Sequence, residues 1–224
     1  MKKILMLSLL ICAFCAGCGN KENTEPNKTD NDSVSVVSPI ISEIDIENKI
    51  PNGTYSVSFS NEDFSIVDTE AYLTLQLFDY DKYDTEDVFS LKIGDTIKIL
   101  NDDVVIEKLD YISDDTNDKK WININGGLEE NGYVLYDEIE YYRTLTFNDY
   151  PLYYSVGEIK LPVSRSFEFL DHYDLSTAPN GVISYYEDLP NSLCIHPGSI
   201  YNELNTKVAI NDGEITKLER IWIP

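Results

Sequence analysis

Leu73-Thr74-Leu75-Gln76-Leu77 alternates apolar and polar residues without a break. A strand that buries one face needs this period of two, and a helix cannot use it. Upstream, Tyr55, Val57 and Phe59 alternate with Ser56, Ser58 and Ser60. Downstream, Ile97 and Ile99 flank Lys98 behind a Gly94-Asp95 turn. Glycine reaches the positive φ of such a turn without strain, and an aspartate side chain satisfies turn donors. Between these strands the alternation fails. Asp84, followed by Asp87, is placed to cap one helical turn that points Val88, Phe89 and Leu91 inward.

The same reading continues to the end of the chain. Residues 104–112, 121–125, 133–136 and 140–147 read as strands, and Asn101-Asp102-Asp103 as the turn before the first of them. Residues 152–156, 159–163 and 166–170 read as three further strands, divided by turns at Gly157 and Ser164-Arg165. Pro162 lacks a backbone donor and calls for an edge or a bulge. Val182, Ile183, Tyr186 and Leu189 have roughly helical spacing within 177–191, and 199–204 reads as another helical turn. A strand over 207–210, the turn Asn211-Asp212-Gly213 and a strand over 214–223 close the chain. About ten short strands with Gly, Asn and Asp turns describe a mostly β domain. The expected form is an antiparallel sandwich or barrel-like body with one or two short helices.

The N-terminus follows different rules. Lys2 and Lys3 precede a 13-residue uncharged run from Ile4 to Ala16. That run falls short of the roughly 20 apolar residues that span a bilayer, and it has the layout of a removable signal peptide. It ends in Cys15-Ala16-Gly17-Cys18. This ending resembles the lipobox of bacterial lipoproteins, although Cys15 stands where that family favours leucine. The resemblance covers about twenty residues. It implies a signal peptide over 1–17, a diacylglyceryl lipid on Cys18 and a chain held at the cell membrane, facing outside the cytoplasm. Two acyl chains suffice for stable attachment. Residues 19–32, GNKENTEPNKTDND, contain no large apolar side chain and read as a flexible spacer. Residues 33–50 regain Val and Ile and read either as an early strand or as an extended lead-in to a single β domain over 51–224.

The formal net charge is −23. Without Lys2 and Lys3, the 17 basic residues fall to 15 against 40 acidic ones, a net of −25. Such a surface repels nucleic acid and other polyanions, so no nucleic-acid partner is expected. Of four cysteines, Cys12 and Cys15 leave with the signal and Cys18 carries lipid, so Cys194 is the remaining thiol. A core must hold this fold without disulfides, and a 42% hydrophobic content is adequate for one.

Chemical motifs are sparse. Cys194 and His196 share a spacing that puts both on one side of a strand, which is the start of a thiol nucleophile. The apolar neighbours Leu193 and Ile195 favour a buried structural cysteine instead. Asp171-His172-Tyr173-Asp174 with His196 offers metal donors without a metal-binding spacing. Loops starting at Asp79 and Asp114 lack the glycine of an EF-hand at its sixth position. No cofactor or metal site is therefore expected. Sixteen tyrosines, several paired at 141–142, 153–154 and 185–186, offer flat faces to a sugar or peptide, one of each pair inward and one outward. These features anticipate a non-catalytic module that binds a surface protein or glycan. The alternative is a secreted hydrolase using Cys194 and His196 or paired carboxylates.

Overall fold

A computed structural model describes residues 34–48, 50–114, 119–172, 178–193 and 201–223. The chain is mostly β, as the alternation requires. Its centre is β4 (Glu70–Tyr80), whose Ala71, Leu73, Leu75 and Leu77 point inward and are buried. On one side β4 pairs with β2 (Gly53–Ser58) and with β3 (Phe64–Val67). On the other it pairs with β12 (Tyr153–Asp171).

Following the pairings from β12 closes a ring. β12 joins β15 (Glu214–Arg220), β15 joins β14 (Thr206–Asn211), and β14 returns to β2. The five ring strands, counted in chain order, run first, second, third, fifth, fourth around the barrel. All neighbours are antiparallel except β12 and β15, which run parallel. Closure leaves the ring without free edges. Val57, Leu75, Leu77, Val208, Ile215 and Leu218 fill its interior at no measurable exposure. Beneath it pack Tyr186, Leu189 and Leu193, carried by a 3-10 turn and by α2 (Leu189–Ser192).

A second core lies between β4 and β12 in the chain. Its five-stranded sheet is ordered β5 (Lys82–Tyr83), β11 (Tyr142–Leu145), β10 (Tyr133–Asp137), β9 (Lys119–Ile124) and β8 (Leu109–Asp114). A smaller sheet joins β6 (Thr96–Ile99) to β7 (Asp102–Val105) and to β1 (Val36–Val37), the last in parallel. Helix α1 (Thr85–Ser90) is capped by the Asp84 side chain, which accepts from the Glu86 and Asp87 amides.

Several local expectations change. The three strands expected over 152–170 are one 19-residue strand. Its Gly157 marks a register shift against β4, and 163–168 a second shift against β15, so the turn signals are bulges. Pro162 pairs with Tyr72 at the last position before β12 changes partner. Val182 and Ile183 stand in β13 (Val182–Tyr185), an outer strand beside β12, and not in a helix. The turn expected at 101–103 has Leu100 and Asn101 at its centre, both at positive φ, and Asp102 already pairs with Ile99. The helical turn expected over 199–204 sits later where described: Tyr201 bridges to Phe59 as an isolated β pair, and the Asn205 and Thr206 amides then donate to the Asn202 carbonyl in a single turn. Phe89 is 56% exposed, its ring meeting Tyr142 edge-on, while Val88 and Leu91 turn inward.

Of the two readings of 33–50, the strand holds for Val36–Val37, and the other described residues of the segment are a lead-in that still packs on the fold. Val37 is buried in the second core, Ile50 in the barrel core, and Ile44 and Ile46 pack against the barrel core. No described helix is long and apolar enough to cross a membrane.

Candidate functional site

The alternation that buries Leu73, Leu75 and Leu77 sends Phe78 and Tyr80 to the outer face of β4. Register then brings partners to them. Phe78 lies opposite Ser56 on β2 and Ser155 on β12, and Tyr80 lies opposite Tyr153. The Tyr80 and Tyr153 rings meet edge to face at 5.8 Å and 83°. Their hydroxyls are also held. Ser56 Oγ donates to Tyr153 at 3.1 Å, and the Tyr80 and Tyr141 hydroxyls share a hydrogen bond at 3.0 Å. Burial, followed by the bond to Tyr141, pushes the Tyr80 phenol well above its usual range. Burial also raises the Tyr55 phenol, helped by Asp79 and Glu43. Both phenols are therefore neutral donor–acceptors at physiological pH.

These rings floor a cleft of about 700 Å³. One wall is the segment over 40–44, fixed where the Ile40 amide donates to the Lys82 carbonyl at 2.6 Å and Ser42 Oγ donates to Asp79. Another part of the lining comes from the second core's chain, through Glu138, Arg143, Tyr150 and Pro151. Arg143 Nε donates to Glu138 at 2.6 Å, and its other nitrogens reach the Thr144 and Asp149 carbonyls at 3.2 and 3.4 Å. Lys82 Nζ lies 5.0 Å from the Tyr80 ring centre, 5.8 Å from that of Tyr141 and 3.9 Å from Asp79. The cleft thus joins fixed aromatic faces to ion pairs that are already made. Its volume lies within the range of small-ligand sites, about 300–1,000 Å³.

No protein-family model, curated protein or solved structure matches this chain. What the cleft binds must be read from its own chemistry.

The residues singled out from sequence fall elsewhere. Cys18, Cys194 and His196 lie outside the described residues, as do Tyr173 and Asp174. The Asp171 carboxylate receives two bonds from the fully buried Arg220, whose guanidinium carbon lies 4.7 Å from the Tyr201 ring centre. The Asp171 side chain is thereby part of the barrel's structure. Among the described residues, no three His, Cys, Asp or Glu side chains gather as metal donors. The EF-hand test at Asp79 meets a carboxylate that accepts from Ser42 and from the Tyr80 amide.

In two of the tyrosine pairs one ring is inward and the other is not, although Tyr186 stands in a 3-10 turn and Tyr141 precedes β11. Tyr142 and Tyr186 are buried while Tyr141 and Tyr185 are not. Tyr153 lines the cleft and Tyr141 braces it. Phe78, Tyr80, Lys82 and Arg143 were not singled out from sequence. The usable signal is the outward position of Phe78 and Tyr80 on a strand whose other face is aliphatic from Ala71 to Leu77 and ends in Asp79.

Proposed function

We propose that this chain is a lipid-anchored extracytoplasmic protein that binds a surface protein or glycan in the cleft and catalyses no reaction. The ending Cys15-Ala16-Gly17-Cys18 supports the anchor, with diacylglyceryl on Cys18 and the folded part outside the cytoplasm. The observation that carries the binding reading is the aromatic floor. Tyr80 and Tyr153 are half-buried, line a concave site and are already locked by hydrogen bonds, so little side-chain entropy is lost when a ligand arrives. Titratable groups in the walls are engaged with one another, as Lys82 is with Asp79 and Arg143 with Glu138. Such pairs suit recognition better than proton transfer.

Two experiments test this. Cys18→Ala should release the protein to the medium or leave it unprocessed, and an unchanged membrane-bound mature form would refute the anchor. Screening the purified full chain against wall glycans and surface proteins should find a ligand whose binding falls in Tyr153→Ala. Hydrolysis of a screened ligand would refute the non-catalytic reading.

A further inference from the structure

We infer that the ligand of the cleft is an uncharged oligosaccharide, an inference that rests on the cleft being the binding site. Charge is the first argument. The charged side chains of the lining are Glu43, Asp79 and Glu138 against Lys82, Arg143 and Lys207, three of each sign. In a chain of net −23, this surface is locally balanced. A polyanion would have to cross the field of the whole molecule to reach a site with no surplus of cations. That argument removes nucleic acid, whose affinity comes from neutralised phosphates, and acidic polymers with it. A cationic ligand would be drawn to the molecule but would find no acidic excess at the cleft.

The second argument is shape and residue type. Protein-binding surfaces have cores depleted in charged residues. This lining carries six charged groups inside a concavity. A pyranose ring needs this combination. Its C–H face packs against a fixed aromatic plane, as offered by Tyr80, Tyr153 and Phe78. Its hydroxyls exchange hydrogen bonds with planar, oriented groups: Arg143 and Glu138, closed on each other at 2.6 Å, still keep further guanidinium N–H donors and carboxylate lone pairs for a ligand. The internal ion pairs act as held dipoles, which recognise hydroxyls without demanding a counter-charge.

The test uses the full chain in detergent, titrated with neutral oligomers of glucose and of N-acetylglucosamine, an acidic oligogalacturonate and a cationic oligoglucosamine. We expect binding to a neutral oligomer, insensitive to salt, and weakened about tenfold or more in Tyr80→Ala and Tyr153→Ala. Tyr80→Phe keeps the ring and should retain most of the affinity, which separates ring contact from a damaged fold. Circular dichroism of each variant confirms folding. Salt-sensitive binding of the acidic or cationic oligomer, lost in the same variants, would overturn the neutral-sugar inference and leave the cleft standing. So would a protein ligand from the screen whose binding is lost in Tyr153→Ala, with the neutral series silent. Sugar binding unchanged in both alanine variants would overturn the inference and the cleft together.

Discussion

The barrel and the second β unit solve the same problem by different means. The barrel closes five strands into a ring around an interior that is mostly aliphatic, with Leu73, Leu75 and Leu77 of β4 in its wall. The second unit leaves its sheets open and uses tyrosines as inner beams. Tyr83 is fully buried, and its hydroxyl donates to the Lys98 carbonyl at 2.8 Å while lying 3.3 Å from the Asp81 carboxylate. Asp81, itself buried, also accepts from the Leu100 amide at 2.7 Å. One unit is held by ring closure and apolar packing. The other relies on buried hydrogen bonds and on a strand, β1, borrowed from ahead of the barrel. The difference implies that the barrel tolerates polar change outside its ring, whereas the second unit is sensitive to its polar anchors and to the leading segment.

The largest effect is expected from removing residues 1–50. The loss of buried Val37 and Ile50, with the contacts of Ile44 and Ile46, should lower stability by about 5 kcal/mol, from roughly 1.5–3 kcal/mol per fully buried apolar side chain. Urea unfolding measures the loss, and hydrogen exchange should show it in both units, in the second through Val37 and the lost pairing of β1, and in the barrel through Ile44, Ile46 and Ile50. Equal stability with and without these residues would dissolve the distinction drawn above. Next, Leu75→Ala should cost about 2–5 kcal/mol, because a closed ring cannot collapse onto the cavity.

Gly157→Ala should cost about 1–3 kcal/mol, the range for an overpacked site. Gly157 has φ of +150°, and an added Cβ would lie 2.3 Å from Ile46 Cδ1. It is the bulge where the leading segment presses on the barrel. A compensating Ile46→Val should recover part of the loss if that contact is the cause.

Tyr83→Phe should cost about 1 kcal/mol for its hydrogen bonds. A pH series sharpens the same contrast. Burial, then Asp137, pushes the Tyr142 phenol up to about 12, and burial with Asp81 raises Tyr83 further. Unfolded phenols titrate near 10. The native state therefore keeps protons that the unfolded state loses. Stability is intact below about pH 10 and is lost as pH rises through about 12. Unfolding midpoints followed with tyrosinate absorbance should decline above pH 10, less steeply in Tyr142→Phe. A flat profile would mean that these phenols are accessible to solvent.

Sequence alone determined the strand faces. Alternation named Val57, Leu73, Leu75 and Leu77 as buried, because burial on one face leaves a period of two in the chain. It also located the Asp84 cap and the final hairpin, where Asp212 and Gly213 adopt the positive φ that a two-residue loop needs. Tertiary structure alone decided which strands meet. Gly157 and Ser164-Arg165 read as turns because a bulge and a turn use the same residues locally; only the partners on either side of β12 keep it one strand. Val182 and Ile183 took strand form because β12 offered them an edge. The cleft was decided at the same level. Its parts come from residues as far apart as Ser42 and Lys207, and no local period records a meeting set by ring closure and register.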